Sequence, residues 1–384
     1  MKIRHALPEF GRVPRDSWRD SLSGIVRSAL TIATRQARIT DYYVQFLGLQ
    51  RDGPRSHYRL ENVDIRTTPG WSFGQWNKND WRYFLPLTLM AVESRVDILH
   101  VHDNPYLLSL PRARRRILHF HTPISNRATP SFVAAAQRSD HIVCNSGYIR
   151  DDFLSVASFP LDRISVVHNA VDIDLFKGGD QSLRTELGIA KDSKVVLFVG
   201  QTSWEKGLIH LVRALANVRE KCELIVAGGN DLWQTMDSPS QRVMGETRLT
   251  DYEMEVREEA SGLPVHFLGT VPTKELSRVY AACDIFVCPS EWPEPFGMVN
   301  IEAMAAGKPV IASRTGGIPE IVEDGETGLL VEPANPQELA NALDFLLANR
   351  NRCTEMGKAG YVQVSTHFTW KRVLDQLEDI YYCI

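Results

Sequence analysis

Apolar runs of strand length alternate with amphipathic stretches of helical period along almost the whole chain, and few architectures accept that alternation. A strand covered on both faces reads as a continuous apolar run, and its parallel neighbour is reached only by a crossover, usually a helix. Strands are expected at 42–47, 96–101, 116–120, 141–144, 164–168, 194–199, 222–227, 265–268, 284–288, 309–313 and 328–331, with helices between them, among them 24–37, 208–218 and 336–347. The last of these has a readable start: Asn335 can cap it, Pro336 suits the first helical position, and Glu338 falls in the first turn. The expectation is an α/β chain.

At 384 residues the chain is long enough for two domains, each with its own core. The polar, glycine-containing stretch 177–181 separates two sets of alternating elements, so the reading is an N-terminal Rossmann-like domain over 1–177 and a C-terminal one over 178–367. The segment 368–384 has helical periodicity and is expected to pack back on the first domain. Doubly wound sheets take ligands at the carboxyl ends of their strands, and two facing each other make a cleft.

Composition removes several functions. With 43 Lys+Arg against 47 Asp+Glu, a net charge of −4, the chain has no general basic field for a nucleic-acid backbone. Its apolar residues are too scattered for a membrane-spanning helix of about 20 residues. The opening MKIRHALPEFGRVPRDSW breaks its apolar content with charges and prolines, so it lacks a secretory h-region and a cytoplasmic location is expected. Six cysteines without a Cys-x-x-Cys pair indicate neither a disulfide framework nor a structural zinc site.

The segment 289–333, PSEWPEPFGMVNIEAMAAGKPVIASRTGGIPEIVEDGETGLLVEP, concentrates chemistry. Glu294 precedes an expected helix start, Glu302 lies within that helix, and the Pro295-Phe296-Gly297-Met298 turn offers backbone N–H groups where unsatisfied donors and the helix dipole favour an anion. A phosphate there, flanked by carboxylates accepting from hydroxyls, suits a nucleotide sugar; exposed acids that merely solvate a helix face are the plainer reading. In VVLFVGQTSWEKGLIHLVRAL, Gly200 closes a strand and Lys206-Gly207 opens a helix, a cation beside a helix N-terminus that can clamp a diphosphate. Further upstream, DILHVHDN and ILHFHTPIS carry His100, His102, His119 and His121, each pair two apart and so on one face of a strand. Convergence of the four is conceivable, but without a zinc-type spacing the metal expectation is none.

These segments together resemble the retaining nucleotide-sugar transferases of glycosyltransferase family 4, whose acidic motif is Glu, seven residues, Glu, here Glu294 and Glu302. The resemblance implies the GT-B fold of two facing doubly wound domains. It implies that Glu294 contacts hydroxyls of the donor sugar, that Glu302 binds the ribose, and that the backbone at Phe296, Gly297, Met298 and Val299 lines the sugar and diphosphate. Thr315 and Gly316, in ASRTGGIPEIV, would lie close by, and Lys206 would meet the diphosphate. SLSGIVRSALTIATRQA resembles the family's glycine loop and first helix, with only Gly24 left of the usual glycine pair. Gln201 stands where the family carries an arginine, which removes one positive charge from the phosphate site. His121 aligns with the histidine that contacts the donor sugar near the reacting carbon. Weaker matches lie at 139–153, 164–176 and 265–290.

The expected activity is transfer of a hexosyl group from a nucleoside diphosphate sugar, with UDP the favoured nucleotide, to a hydroxyl acceptor of a glycan, lipid or small molecule, with retention and without a metal. His121, Lys206 and Glu294 would be catalytic, and no cofactor beyond the co-substrate is expected. Two alternatives remain: a sugar-nucleotide epimerase, which the four histidines suggest, and a non-catalytic nucleotide-sugar-binding relative, which Gln201 suggests. Trp71, Phe73, Trp76, Trp81, Tyr83 and Phe84 crowd one stretch and could form an acceptor wall, although rings are more often simply packed. The run Arg112, Arg114, Arg115, Arg116 reads as a solvated edge, with peripheral contact to an anionic membrane as its other use.

Overall fold

The apolar runs form two sheets in the computed structural model, which describes residues 1–7, 24–39, 42–50, 56–69, 89, 91, 92, 94–229 and 250–383. Contacts divide the chain into one unit of Met1–Asn169 with Trp370–Ile384, and another of Ala170–Thr369. No helix among the described residues is long and apolar enough to cross a membrane. The α/β expectation holds in both units.

The N-terminal unit contains β1 (Lys2–Leu7), α1 (Gly24–Ile39), β2 (Tyr43–Gln50), β3 (Ser56–Leu60), β4 (Val63–Pro69), β5 (Val96–His102), β6 (Ala113–Phe120), α2 (Pro130–Ala136), β7 (His141–Cys144), α3 (Gly147–Val156) and β8 (Ile164–Val166). The strands lie in the order β3-β4-β2-β1-β5-β6-β7-β8, every pair parallel except β3 with β4. Alternation along each strand builds a core on each face: Ala6, Leu47, Leu99 and Phe120 on one, Leu7, Phe46 and Ile65 with Leu30 and Ala33 of α1 on the other. The order reverses at β1, which lies between β2 and β5, so the carboxyl end of β5 borders the place where such sheets take ligands.

Strand β1 and the β3–β4 hairpin were not expected from the sequence. In β1, Arg4 is fully buried, and burial of a guanidinium demands partners. Its Nε donates to Gln45 Oε1 at 2.7 Å, Nη1 to Ala91 O at 3.2 Å and Nη2 to Ser94 O at 2.9 Å. The hairpin turns on Glu61 and Asn62, both with positive φ (46° and 71°), as two-residue hairpin turns favour.

The C-terminal unit contains α4 (Ser182–Glu186), β9 (Lys194–Val199), α5 (Leu208–Leu215), β10 (Cys222–Ala227), α6 (Asp251–Glu259), β11 (Val265–Gly269), α7 (Leu276–Ala282), β12 (Ile285–Cys288), α8 (Met298–Ala305), β13 (Val310–Ser313), β14 (Gly328–Val331), α9 (Pro336–Ala348) and α10 (Arg350–His367). Its sheet, β11-β10-β9-β12-β13-β14, is parallel throughout. Val196 and Phe198 face α5 and α9 in one core; Val195 and Leu197 face α8 in the other. As expected, Asn335 caps α9, its side chain accepting from Glu338 N at 3.1 Å. The order reverses between β9 and β12, which places the loops after those two strands at the switch point.

The final helix, α11 (Trp370–Cys383), belongs to the N-terminal unit. Val373, Leu377, Ile380 and Tyr381 form its buried stripe at helical spacing, and Arg35 of α1 lies 5.0 Å over the Trp370 ring.

Candidate functional site

In the C-terminal unit the site grows from the two switch-point loops. After β9 the chain passes Gly200 and Gln201, makes a tight turn over Trp204–Lys206, and enters α5 through Gly207 at φ 64°. A Cβ on Gly207 would stand 2.0 Å from Pro289 O, so only glycine lets the loops after β9 and β12 approach this closely. Glu205 O ties them further, accepting from Glu291 N at 3.0 Å and Trp292 N at 3.1 Å. Lys206 Nζ then reaches Glu294 Oε1 at 2.5 Å, and Ser290 Oγ donates to the same oxygen at 2.8 Å. Burial works against the Lys206 ammonium, but the adjoining Glu294 carboxylate outweighs it and holds the lysine above its usual range. Lys206 is thus a cation fixed by its neighbour.

Beyond Glu294, the Phe296 ring is buried against Phe368, with centroids 5.8 Å apart, so only its backbone can face a ligand. Gly297 starts α8 with no side chain capping it, and Asn300 N turns back to Gly297 O at 3.0 Å. The Met298 and Val299 amides therefore stand at a helix start with no side-chain cap. Glu302 follows one turn later and accepts from Tyr280 Oη at 2.9 Å. The loop after β13 lies on the same backbone: Gly317 N donates to Glu294 O at 2.8 Å, and a Cβ on Gly316 (φ 57°) would be 2.2 Å from that oxygen. Lys206, Glu294, Gly297, Thr315 and Gly316 are thereby brought to one place, with Met298, Val299 and Glu302 on the helix that leaves it. Gln201 is half-buried and makes no hydrogen bond among the described residues.

In the N-terminal unit the four expected histidines do meet, joined by His5 of β1. Register explains it: His5 pairs with His100, and His102 with His119, on neighbouring strands. All five are buried. His5 Nδ1 lies 3.0 Å from His102 Nε2, His102 Nδ1 2.9 Å from His121 Nε2, and His100 Nε2 3.2 Å from His119 Nδ1. Burial drives every ring below its usual pKa, His5 to about 4, and its histidine neighbours push His100, His102 and His119 further down. Two triads, His5/His100/His102 and His102/His119/His121, bring ring nitrogens within 4.8 Å of one another and could hold a metal ion. At the carboxyl ends of β5, β6 and β7, Asp103 Oδ1 accepts from His121 N at 3.0 Å and Asn145 Nδ2 donates to His121 O at 3.2 Å. Asp103 Oδ2, His119 Nε2, His121 Nδ1 and Asn145 Oδ1 are buried there without a partner.

Gly24 begins α1; the loop before it, the aromatic stretch 71–84 and most of 229–262 (230–249) lie outside the described residues. Of the arginine run, Arg112 sits at a positive-φ turn, while Arg115 Nη1 donates to Tyr381 O at 2.8 Å and Arg116 Nε to Leu108 O at 2.9 Å. Those two brace the fold. Sequence reasoning missed Ser290 and Tyr280, which support the two glutamates, and His5, Asp103 and Asn145. The readable signal for Asp103 and Asn145 was position, each being the first polar residue past an expected strand end or close to it.

Comparison with known proteins fits this geometry. The family model described as "Glycosyltransferase Family 4" matches residues 22–175, and that described as "Glycosyl transferases group 1" matches 180–363. An alpha-maltose-1-phosphate synthase of Mycolicibacterium smegmatis is 35% identical over 259 residues, 64% of this chain and 64% of its own. A D-inositol 3-phosphate glycosyltransferase of Corynebacterium aurimucosum is 35% identical over 252 residues, 63% of this chain and 56% of its own. The match thus spans less than two thirds of these relatives' length. Among solved structures, Anabaena Alr3699/HepE in complex with UDP and glucose shares the fold with a TM-score of 0.76 at 22% identity over 100% of both chains. A sucrose-phosphate synthase of Thermosynechococcus elongatus does so with 0.75 at 21%, over 100% of this chain and 98% of its own. With both halves matched in order and two parallel sheets carrying the Glu294–Glu302 motif at a switch point, the chain belongs to the group 1 glycosyltransferases of family 4.

Proposed function

We propose that this chain transfers a hexosyl group from a nucleoside diphosphate sugar, a UDP-sugar first, to a hydroxyl acceptor, with retention of configuration and without a metal. The observation that carries the reading is the Lys206–Glu294 pair beside the uncapped start of α8. Departure of the nucleoside diphosphate builds negative charge, which the Lys206 ammonium and the Met298 and Val299 amides can take up. Glu294 holds that lysine charged and would face the sugar hydroxyls, Glu302 would hold the ribose, and His121 would contact the sugar. Names of the relatives favour transfer over epimerisation, and the solved relative with UDP and glucose favours UDP. A second reading, a binding protein without turnover, is favoured by Gln201 alone.

The test is thermal-shift titration against UDP, GDP, ADP, dTDP and their glucose conjugates, with and without EDTA. A ligand at a hundred times its dissociation constant adds about 2.7 kcal/mol to native stability. Stabilisation by one nucleotide family regardless of EDTA supports the proposal, and loss of the shift with EDTA overturns its metal-independent part. Stabilisation with no transfer to any hydroxyl acceptor leaves the binding-protein reading.

A further inference from the structure

Two features of the histidine cluster are unused by the reaction above: its rings are hydrogen-bonded in series, and the series has two unpartnered ends. From His121 the links run His121 Nε2 to His102 Nδ1 (2.9 Å), His102 Nε2 to His5 Nδ1 (3.0 Å), and His5 Nε2 to Gln36 Oε1 (2.8 Å). From Gln36 they continue through Nε2 to Tyr381 Oη (3.0 Å), Tyr381 Oη to His100 Nδ1 (2.6 Å), and His100 Nε2 to His119 Nδ1 (3.2 Å). His121 Nδ1 and His119 Nε2, the two termini, are buried with no partner.

A neutral imidazole has one N–H and one lone pair, so each ring passes the direction of one hydrogen bond to the next. The Gln36 amide does the same, accepting at Oε1 and donating at Nε2, and so does the Tyr381 hydroxyl. All six bonds must therefore point the same way. If Gln36 Oε1 faces His5, every link donates from His121 towards His119, which leaves a bare lone pair at His121 Nδ1 and an N–H at His119 Nε2. Turning the amide over reverses all six links and exchanges the two ends. In either case one terminus is an acceptor and the other a donor. The Tyr381–His100 distance chooses between them: 2.6 Å is ordinary for a hydroxyl donor and short for an imidazole N–H donating to oxygen. A charged ring inside the series would put two hydrogens on one link, and at the His121 end, where a proton on Nδ1 meets no link, burial without a partner disfavours the charge, so all five rings are neutral.

We propose that His5, His102, Gln36, Tyr381 and His100 are positioning residues that hold His121 in one neutral tautomer, protonated at Nε2 and presenting Nδ1 as an acceptor at the carboxyl end of β6. The use of that acceptor rests on the glycosyl-transfer reading: His121 would accept a hydrogen bond from a hydroxyl of the donor sugar. Because the reacting carbon gains positive charge in glycosyl transfer, a neutral ring avoids the repulsion that an imidazolium would impose. A shared metal is the rival use of the same nitrogens. It is disfavoured by ring stacking within each triad, since His100 lies 13° from parallel to His102 and His119 25° from parallel to His121, and in-plane lone pairs of stacked rings do not converge.

The experiment is a long-range proton–nitrogen correlation on the full chain labelled with 15N-histidine at neutral pH, which reports the protonated nitrogen of each ring, with resonances assigned by single substitutions. All five rings are expected neutral and protonated at Nε2. Tyr381→Phe removes the hydroxyl that sets the direction of the series, so all five rings, His121 included, should exchange between tautomers, and Gln36→Leu, which breaks the series in the middle, should release His121 as well. A His121 protonated at Nδ1, a cationic ring in the series, or a Tyr381→Phe chain with His121 unmoved would overturn the proposal. So would elemental analysis finding one equivalent of zinc retained by the purified protein. If Gln36→Leu fails to fold, the conservative Tyr381→Phe decides. Calorimetry of the unlabelled chain with UDP-glucose and GDP-glucose separates the two readings: expected tautomers with no donor binding would sink the transferase reading alone, and donor binding with mixed tautomers would sink the series alone.

Discussion

Lys206 and Glu294 stand 2.5 Å apart with Ser290 on the shared oxygen, so a change at either member is felt by the other. Glu294→Gln keeps the size of the side chain but leaves the ammonium with a neutral partner. Steady-state kinetics should show kcat falling about 100-fold while nucleotide affinity by calorimetry changes less than about threefold, because an interaction made chiefly in the transition state is being removed. Equal losses in both would place Glu294 in ground-state binding instead. Gln201 invites the opposite change. It makes no hydrogen bond among the described residues, and Gln201→Arg should tighten binding of the favoured nucleoside diphosphate about tenfold through a charge-assisted contact. An unchanged dissociation constant would show that position 201 does not reach the phosphates.

At the scale of elements, the loop after β13 lies against the Glu294 backbone only because Gly316 has no side chain and adopts φ 57°. Gly316→Ala should cost roughly 1–3 kcal/mol of stability from backbone strain, with more from the close approach to Glu294 O, and should weaken donor binding at the same time. Urea denaturation beside nucleotide titration reads both. The parallel strands of the C-terminal unit were legible because each holds a continuous apolar run, VVLFV at 195–199 and LIVA at 224–227. Strand β1 was not, since KIRHAL looks half polar; its Arg4 is accommodated by Gln45, Ala91 and Ser94, partners that no local pattern announces. The hairpin of β3 and β4 hid for a similar reason, its turn being Glu-Asn rather than a glycine pair. In the site, Glu294 and Glu302 stood out through the resemblance of segment 289–333 to the family's motif, since two acids at that spacing alone read as a solvated helix face. Tyr280 was not, because it comes from α7 and meets Glu302 only when that helix packs beside α8. His5 was hidden with its strand, so the sequence showed four histidines where the fold assembles five.

For the whole molecule, the buried imidazoles set the response to acid. Each is neutral when folded and has its folded pKa lowered, His5 to about 4, whereas in the unfolded chain an imidazole titrates near 6.5. The unfolded state therefore takes up protons first as pH falls. Stability is fully present above about pH 6.5 and is lost towards pH 4, by up to about 1.4 kcal/mol per ring for each pH unit. Denaturant midpoints at pH 7.5 and 5 should show this drop in the N-terminal unit, and His5→Phe should flatten it; a pH-independent midpoint would mean the rings open to water. The placement of α11 bears on a different matter, the order of events at the ribosome. Residues 370–383 complete the N-terminal unit, supplying Tyr381 to His100 and Gln36, yet they are made only after every residue of Ala170–Thr369. The unit that is begun first is thus finished last. A nascent chain carries an unclosed histidine layer throughout translation of its other half, and a fragment stopped at Thr369 should need a chaperone or expose that layer to protease, although its C-terminal sheet has already closed.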